Sequence, residues 1–321
     1  MEDVISWLLN RNSIVEYKTR ISLLNQAEDS LEVISAKKRL KENRLIQSLI
    51  SDIQDFPGYA LKRHNDANHS IHKLAFLADL GFKKSDGIFE KTLTNIFTNQ
   101  SKEGAFQIKL NIPTHFGGSG EDQIIWMLCD APLVLYSLAK IGYEKDERVI
   151  KAAQHLTELI TENGWLCEAS SDLGGKFRGP GKKTDPCPYA NLVALKALSQ
   201  IPDYKENKAS KKATDTLLSL WEEKSTKKPY LFAMGTDFKK IKGPLIWYDI
   251  LHVCFVLSEF KWLKKDTRFL DMLQIILDKN DGNGRYTPES IYLAWKGWDF
   301  GQKKEPSRFI SYIVQEILMR L

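Results

Sequence analysis

Cysteine is scarce in this chain. Four thiols, Cys129, Cys167, Cys187 and Cys254, are spread over 321 residues without a compact repeated spacing. That excludes a disulfide scaffold and suits a reducing, cytoplasmic setting. Long apolar runs are missing too. No stretch approaches the length of a membrane-spanning helix, so no transmembrane segment is expected. The opening residues MEDVISWLLNRNSIVEYK carry acids where a secretory signal needs bases, and their apolar run is short. Charge of one sign is not concentrated. Lysine and arginine number 46 against 41 acids, net +5, with no long block of like charges. A nucleic-acid-binding face is therefore not expected. Two local basic clusters break the balance, KFRGPGKK (176–183) and DFKKIKG (237–243). They suit a phosphate or diphosphate, or equally a solvated loop. Strand-like alternation is scarce, which leaves helices.

What is present is a composition of 43% hydrophobic and 27% charged residues, that of a globular protein. Five apolar segments recur at a period of about 60 residues: 72–82, 131–143, 187–202, 247–260 and 306–321. Each has apolar residues at helical spacing and few charges on any face, which predicts helices buried nearly all round. Amphipathic segments with one apolar stripe follow at 146–160, 206–221 and 267–279. The copies close in related phrases, QDFPGY (54–59), QSKEGAF (100–106), ITENGW (160–165) and KNDGNGRY (279–286). In each, a glycine is placed to make a positive-φ turn, and the aromatic after it is placed to pin that turn to the next copy. Helix pairs of this kind bury their faces only by stacking. The expected architecture is all-α, a single domain over 1–321 with 1–50 as a leading helix pair and 51–321 carrying the repeats.

These phrases and the helix-pair period resemble the α/α-toroid superfamily, which includes triterpene cyclases and protein prenyltransferase β subunits. The resemblance covers the chain from about residue 50 onward and implies a double ring of about six helix pairs. The Asp-x-Asp-Asp motif with which the cyclases protonate their substrate is absent. The prenyltransferase pattern is closer. There, an aspartate, a cysteine two residues on and a more distant histidine hold a zinc ion. Asp185-Pro186-Cys187 and His252, in HVCFVLS (252–258), match it in type, order and approximate spacing.

The residues support part of this independently. Cys187 precedes a helix with Pro188 at its first position, so the helix dipole lowers its thiol pKa. Asp249, three residues before His252, is placed to accept from the imidazole and orient it behind a metal, or simply to be its hydrogen-bond partner in a core. The resemblance further assigns Arg178, Lys182 and Lys183 to a leaving diphosphate. Trp126, Tyr189, Trp247, Tyr248, Phe255 and Trp295 would line an apolar lumen, or fill a solid core. The stretch RHNDANHSIH offers His64, His69 and His72 but no acid or cysteine at a matching distance, so no metal is expected there. The implied function is zinc-assisted transfer of an isoprenoid or other apolar group to a thiol or small acceptor. A noncatalytic toroid binding a ligand or protein partner is the first alternative, and a hydrolase or lyase on the same scaffold the second.

Overall fold

The structure is a computed structural model that describes residues 3–10, 14–173, 177, 179, 181, 182 and 184–321. It is mostly helical, 53% helix and 5% strand. Among the described residues, no helix is long and apolar enough to cross a membrane. The α-helices of eight or more residues are α1 (Leu31–Glu42), α2 (Arg44–Ile53), α3 (Ser70–Asp79), α4 (Glu90–Thr98), α5 (Ala131–Leu138), α6 (Glu147–Glu158), α7 (Pro188–Leu198), α8 (Lys208–Glu222), α9 (Ile250–Leu257), α10 (Thr267–Leu277) and α11 (Arg308–Arg320). The chain divides into two compact units, one of 1–51, 79–81 and 236–321, the other of 52–78 and 82–235.

In the second unit, every residue of α5 and α7 is buried. Their mostly apolar sequences predict this, although Ser137, Asn191 and Lys196 are buried with the rest. α7 packs against α5, α6 and α8. The flanking helices are one-sided, as their stripes require. α6 buries Val149, Ala152, Ala153 and Leu156, a 3- and 4-residue spacing that lines one face. Asp146 caps α6 by accepting from Arg148 N, and Asn207 caps α8 by accepting from Ser210 N.

The closing phrases form tight turns. Gly104, Gly164 and Gly284 take φ of 124°, 89° and 76°. At Gly164 a Cβ would stand 2.6 Å from Asn191 Oδ1, so glycine is needed for the approach as well as for the backbone. The aromatic that follows does fold back. Trp165 N donates to Asn191 Oδ1 at 3.0 Å, and its indole donates to Leu156 O at 2.8 Å.

The sequence did not lead us to expect a two-stranded antiparallel ribbon, β1 (Ile108–Asn111) with β2 (Asp122–Ile125), in register Ile108↔Ile125. Each strand has only four residues, too few for alternation to stand out.

In the first unit, α9 is wholly buried and packs against α10 and α11. Arg320 at the end of α11 ties the layers together. It donates to Phe255 O and Ser258 Oγ at 3.0 Å, pairs with Glu259 and Glu316, and covers the Phe255 ring at 4.4 Å.

Candidate functional site

Three inner-helix starts bring reactive groups together in the second unit. Cys187 is the N-cap of α7, with Pro188 at the first helical position. Proline there loses no helix hydrogen bond, because that N–H has no acceptor in any helix. The Cys187 sulfur accepts from Ala190 N at 3.5 Å. Cys129 and Asp130 occupy the equivalent place before α5, where Asp130 is the N-cap. The two sulfurs lie 3.8 Å apart, both buried, with no disulfide. Cys167, half-buried, lies near enough for its thiol to influence the acidity of both, and, against the pull of Cys129, it is itself pushed up by Cys187 and by burial.

His64 stands beside them. Its Nδ1 lies 3.0 Å from both Asp130 carboxylate oxygens, and the Cys187 thiolate acts on its charge. The loop holding His64 is anchored by α3, where His72 Nε2 donates to His64 O at 2.9 Å.

The electrostatics follow from this packing. Hydrogen bonds from Cys129 and Cys167 hold the Cys187 thiol well below its ordinary value, helped by the Ala190 amide and His64 and opposed by burial. Cys129 is pushed up by hydrogen bonds with the other two thiols and by burial. Burial pulls His64 down, but the Asp130 carboxylate outweighs it and the net shift is up. His72 has no such partner close by, and burial takes it down to about 4. The cluster therefore separates its protons, with Cys187 favoured as thiolate and His64 as imidazolium.

A cavity of about 350 Å³ adjoins Cys167 and is also bordered by Glu168, Ser170, Gly179, Gly181 and Tyr230. Tyr230 bridges its sides, accepting from Cys167 N at 3.4 Å and donating to Lys182 O at 3.3 Å. Its φ is +53°, left-handed backbone that a bulky residue adopts only when its surroundings hold it there. Burial raises the Glu168 carboxyl.

The residues expected from sequence are distributed as follows. Cys187 is in the cluster. Asp185 is half-buried and borders, with exposed Lys182, a separate groove of about 570 Å³. Arg178 and Lys183 lie outside the described residues. His252 is buried on α9 in the other unit, and its Nδ1 meets Trp247 O at 2.9 Å. Asp249 does not orient that ring; its Oδ1 accepts from His252 N at 3.0 Å and caps α9. The aromatics are packed against neighbours. Trp126 lies edge-on to His155 at 5.2 Å, Tyr248 against Phe238 at 5.2 Å, and Trp295 between Trp298 and Phe300. Phe255 sits under Arg320, Tyr189 is buried, and Trp247 is half-buried.

Among the described residues, no group of three or more His, Cys, Asp or Glu side chains is positioned to hold a metal ion. Two thiols nevertheless have the right separation. With Zn–S bonds of about 2.3 Å, the sulfur–sulfur edge of a tetrahedral shell is about 3.8 Å. The donor types suit a soft ion. A histidine with one ring nitrogen on a carboxylate is the arrangement that orients the other nitrogen toward a metal.

His64, Cys129 and Cys167 were missed in the sequence. The available signal was repeat phase: Cys129-Asp130-Ala131-Pro132 and Cys187-Pro188 open neighbouring inner helices. No family model matches the chain, and no curated protein matches it.

Proposed function

We propose that the chain is a transferase-like enzyme on a toroid-type scaffold, with a zinc-class ion held in the second unit. The ligands would be the sulfurs of Cys129, Cys167 and Cys187 with His64 Nε2, and Asp130 would fix the His64 ring. The observation that carries this reading is the pair of free sulfurs 3.8 Å apart beside a carboxylate-bound imidazole. This ligand set replaces Asp185 and His252, which the resemblance supplied.

An ion held by these sulfurs would supply a positive charge that keeps a thiolate ionised and nucleophilic at neutral pH. The chain's own groups do the rest. The N-termini of α5 and α7 offset the negative charge of the thiolates. The Ala190 amide orients Cys187, and Tyr230 fixes the loop bearing Cys167. Transfer of an isoprenoid or other apolar group to a thiol is the reaction class that the resemblance to prenyltransferase β subunits supports.

Elemental analysis of the reduced protein tests the reading. About one zinc per chain is expected, lost in Cys187→Ser and kept in Cys254→Ser. A folded wild-type protein without metal overturns it. A second reading, metal-free hydrolysis or lysis with Cys187 as nucleophile and His64–Asp130 as base, is favoured by the amide that Ala190 points at the sulfur. It predicts a metal-free protein inactivated by both Cys187→Ser and Asp130→Asn.

A further inference from the structure

Two cysteines that open neighbouring inner helices meet sulfur to sulfur. Cys129 directly precedes the Asp130 cap of α5, and Cys187 is itself the cap of α7. Their sulfurs are 3.8 Å apart, both thiols are free, and the two residues are 4% and 3% exposed. We propose that Cys129 and Cys187 are a redox pair: a small hydroperoxide oxidises Cys187, and Cys129 then closes a reversible disulfide with it. The idea rests on the distance between the two sulfurs and needs no bound metal. It gives the thiol cluster a second state, in which neither sulfur is free to hold an ion or attack a carbon.

The closing motion is short. Going from 3.8 Å to the roughly 2.0 Å of a disulfide moves the sulfurs together by about 1.8 Å. Backbone hydrogen bonds hold both segments in place. Cys187 N donates to Trp165 O at 2.9 Å, and Asn191 Nδ2 donates to Cys187 O at 2.8 Å. On either side of Cys129, Leu128 N donates to Glu168 O and Asp130 N to Met127 O, each at 3.0 Å. Rotation of the two side chains is therefore what brings the sulfurs together.

Position assigns the roles. The Cys187 sulfur accepts from Ala190 N at 3.5 Å, at the N-terminus of an eleven-residue helix. Both features favour negative charge on that sulfur, which makes it the one that attacks. Cys129 is the thiol in contact with it and hence the one that resolves the product. Burial selects the oxidant. Hydrogen peroxide is little larger than water, whereas a peptide disulfide cannot lay its S–S bond against a residue 3% exposed.

The Cys187 thiolate takes one peroxide oxygen as the O–O bond breaks. This gives a sulfenic acid and hydroxide, which leaves as water with a proton from solvent. The Cys129 sulfur then attacks the Cys187 sulfur. The S–S bond forms, the S–O bond breaks, and the hydroxyl leaves as water with the Cys129 proton. The two sulfurs give up two electrons, and the peroxide is reduced to two waters. A small thiol in excess reverses the product by exchange.

The experiment uses the full chain, reduced and chelator-treated, with hydrogen peroxide as probe. Remaining thiols are then alkylated with iodoacetamide in denaturant, and the unreduced peptides are mapped by mass spectrometry. A Cys129–Cys187 linkage is expected, at least tenfold more abundant than any linkage through Cys167 or Cys254 and erased by dithiothreitol. Cys129→Ser should abolish it and raise dimedone-trapped sulfenic acid at Cys187 at least tenfold. Circular dichroism checks folding, and the wild-type map alone decides the matter if the variant does not fold. Cys187 left as a thiol, Cys187 oxidised to sulfinic acid while Cys129 stays reduced, or a linkage chiefly through Cys167 overturns the proposal. Elemental analysis is read separately. A metal-free chain that forms the linkage sinks only the zinc reading, and a zinc-binding chain that forms none once stripped sinks only this one.

Discussion

Replacing Asp249 with asparagine should make the first unit more stable at alkaline pH than at acid pH, relative to wild type. Asp249 is 0% exposed. Its Oδ1 caps α9, its Oδ2 has no hydrogen-bond partner, and Lys242 Nζ is 3.9 Å away. Burial raises its carboxyl from 3.8 to about 6, against the pull of Lys242 and the His252 amide. A group whose pKa is higher folded than unfolded contributes its full stability below the unfolded value and loses it as pH rises through the folded one. The loss here is about 3 kcal/mol in total, of which about 1.5 kcal/mol falls between pH 5 and 8. Asparagine keeps the capping oxygen and cannot ionise, at a cost of about 1–2 kcal/mol for its buried amide. The variant should therefore be near neutral at pH 5 and more stable by about 1–2 kcal/mol at pH 8. The difference in thermal midpoint should widen by about 3–6 °C across that range. Parallel midpoint curves for the two proteins, or a wild type that gains on the variant as pH rises, would refute the reasoning.

Other outcomes follow from the packing. Gly164→Ala should destabilise the second unit by at least about 2 kcal/mol, since its φ is +89° and its Cβ would collide with Asn191 and Thr216; thermal melting measures this. Asn191→Ala removes hydrogen bonds to Trp165 N, Trp165 O and Cys187 O and should cost about 3 kcal/mol, visible in denaturant titration. Arg320→Ala should cost about 2–3 kcal/mol, and Arg320→Lys should restore little of it, because one ammonium cannot reach Phe255 O, Ser258 and two carboxylates at once.

The helices were legible because burial pattern and helix type are both written locally. The apolar segments 131–143, 187–202 and 247–260 became α5, α7 and α9, and the striped segments became α6, α8 and α10. The turn glycines were legible for the same reason, as was Cys187 at a helix start marked by Pro188. The rest of the cluster was not. His64 reads as an isolated histidine until folding brings Asp130, 66 residues away, to its ring. Cys129 reads as a small apolar residue until its sulfur meets one 58 residues on. For His252, the match to a metal-site phrase is local, and its ring partner in the structure, Trp247 O, is a backbone atom that no side-chain pattern records.

The first unit is discontinuous, and that imposes an order on biosynthesis. Residues 1–51 leave the ribosome first, but their partners in 236–321 emerge only after roughly 185 more residues have been added. At about 5–20 residues per second the delay is on the order of 10–40 seconds. During it, 52–235 can already fold while the apolar residues of 4–8 and 19–23, which pack on α11, wait uncovered, so the nascent chain needs a holding chaperone most before residues 236–321 appear.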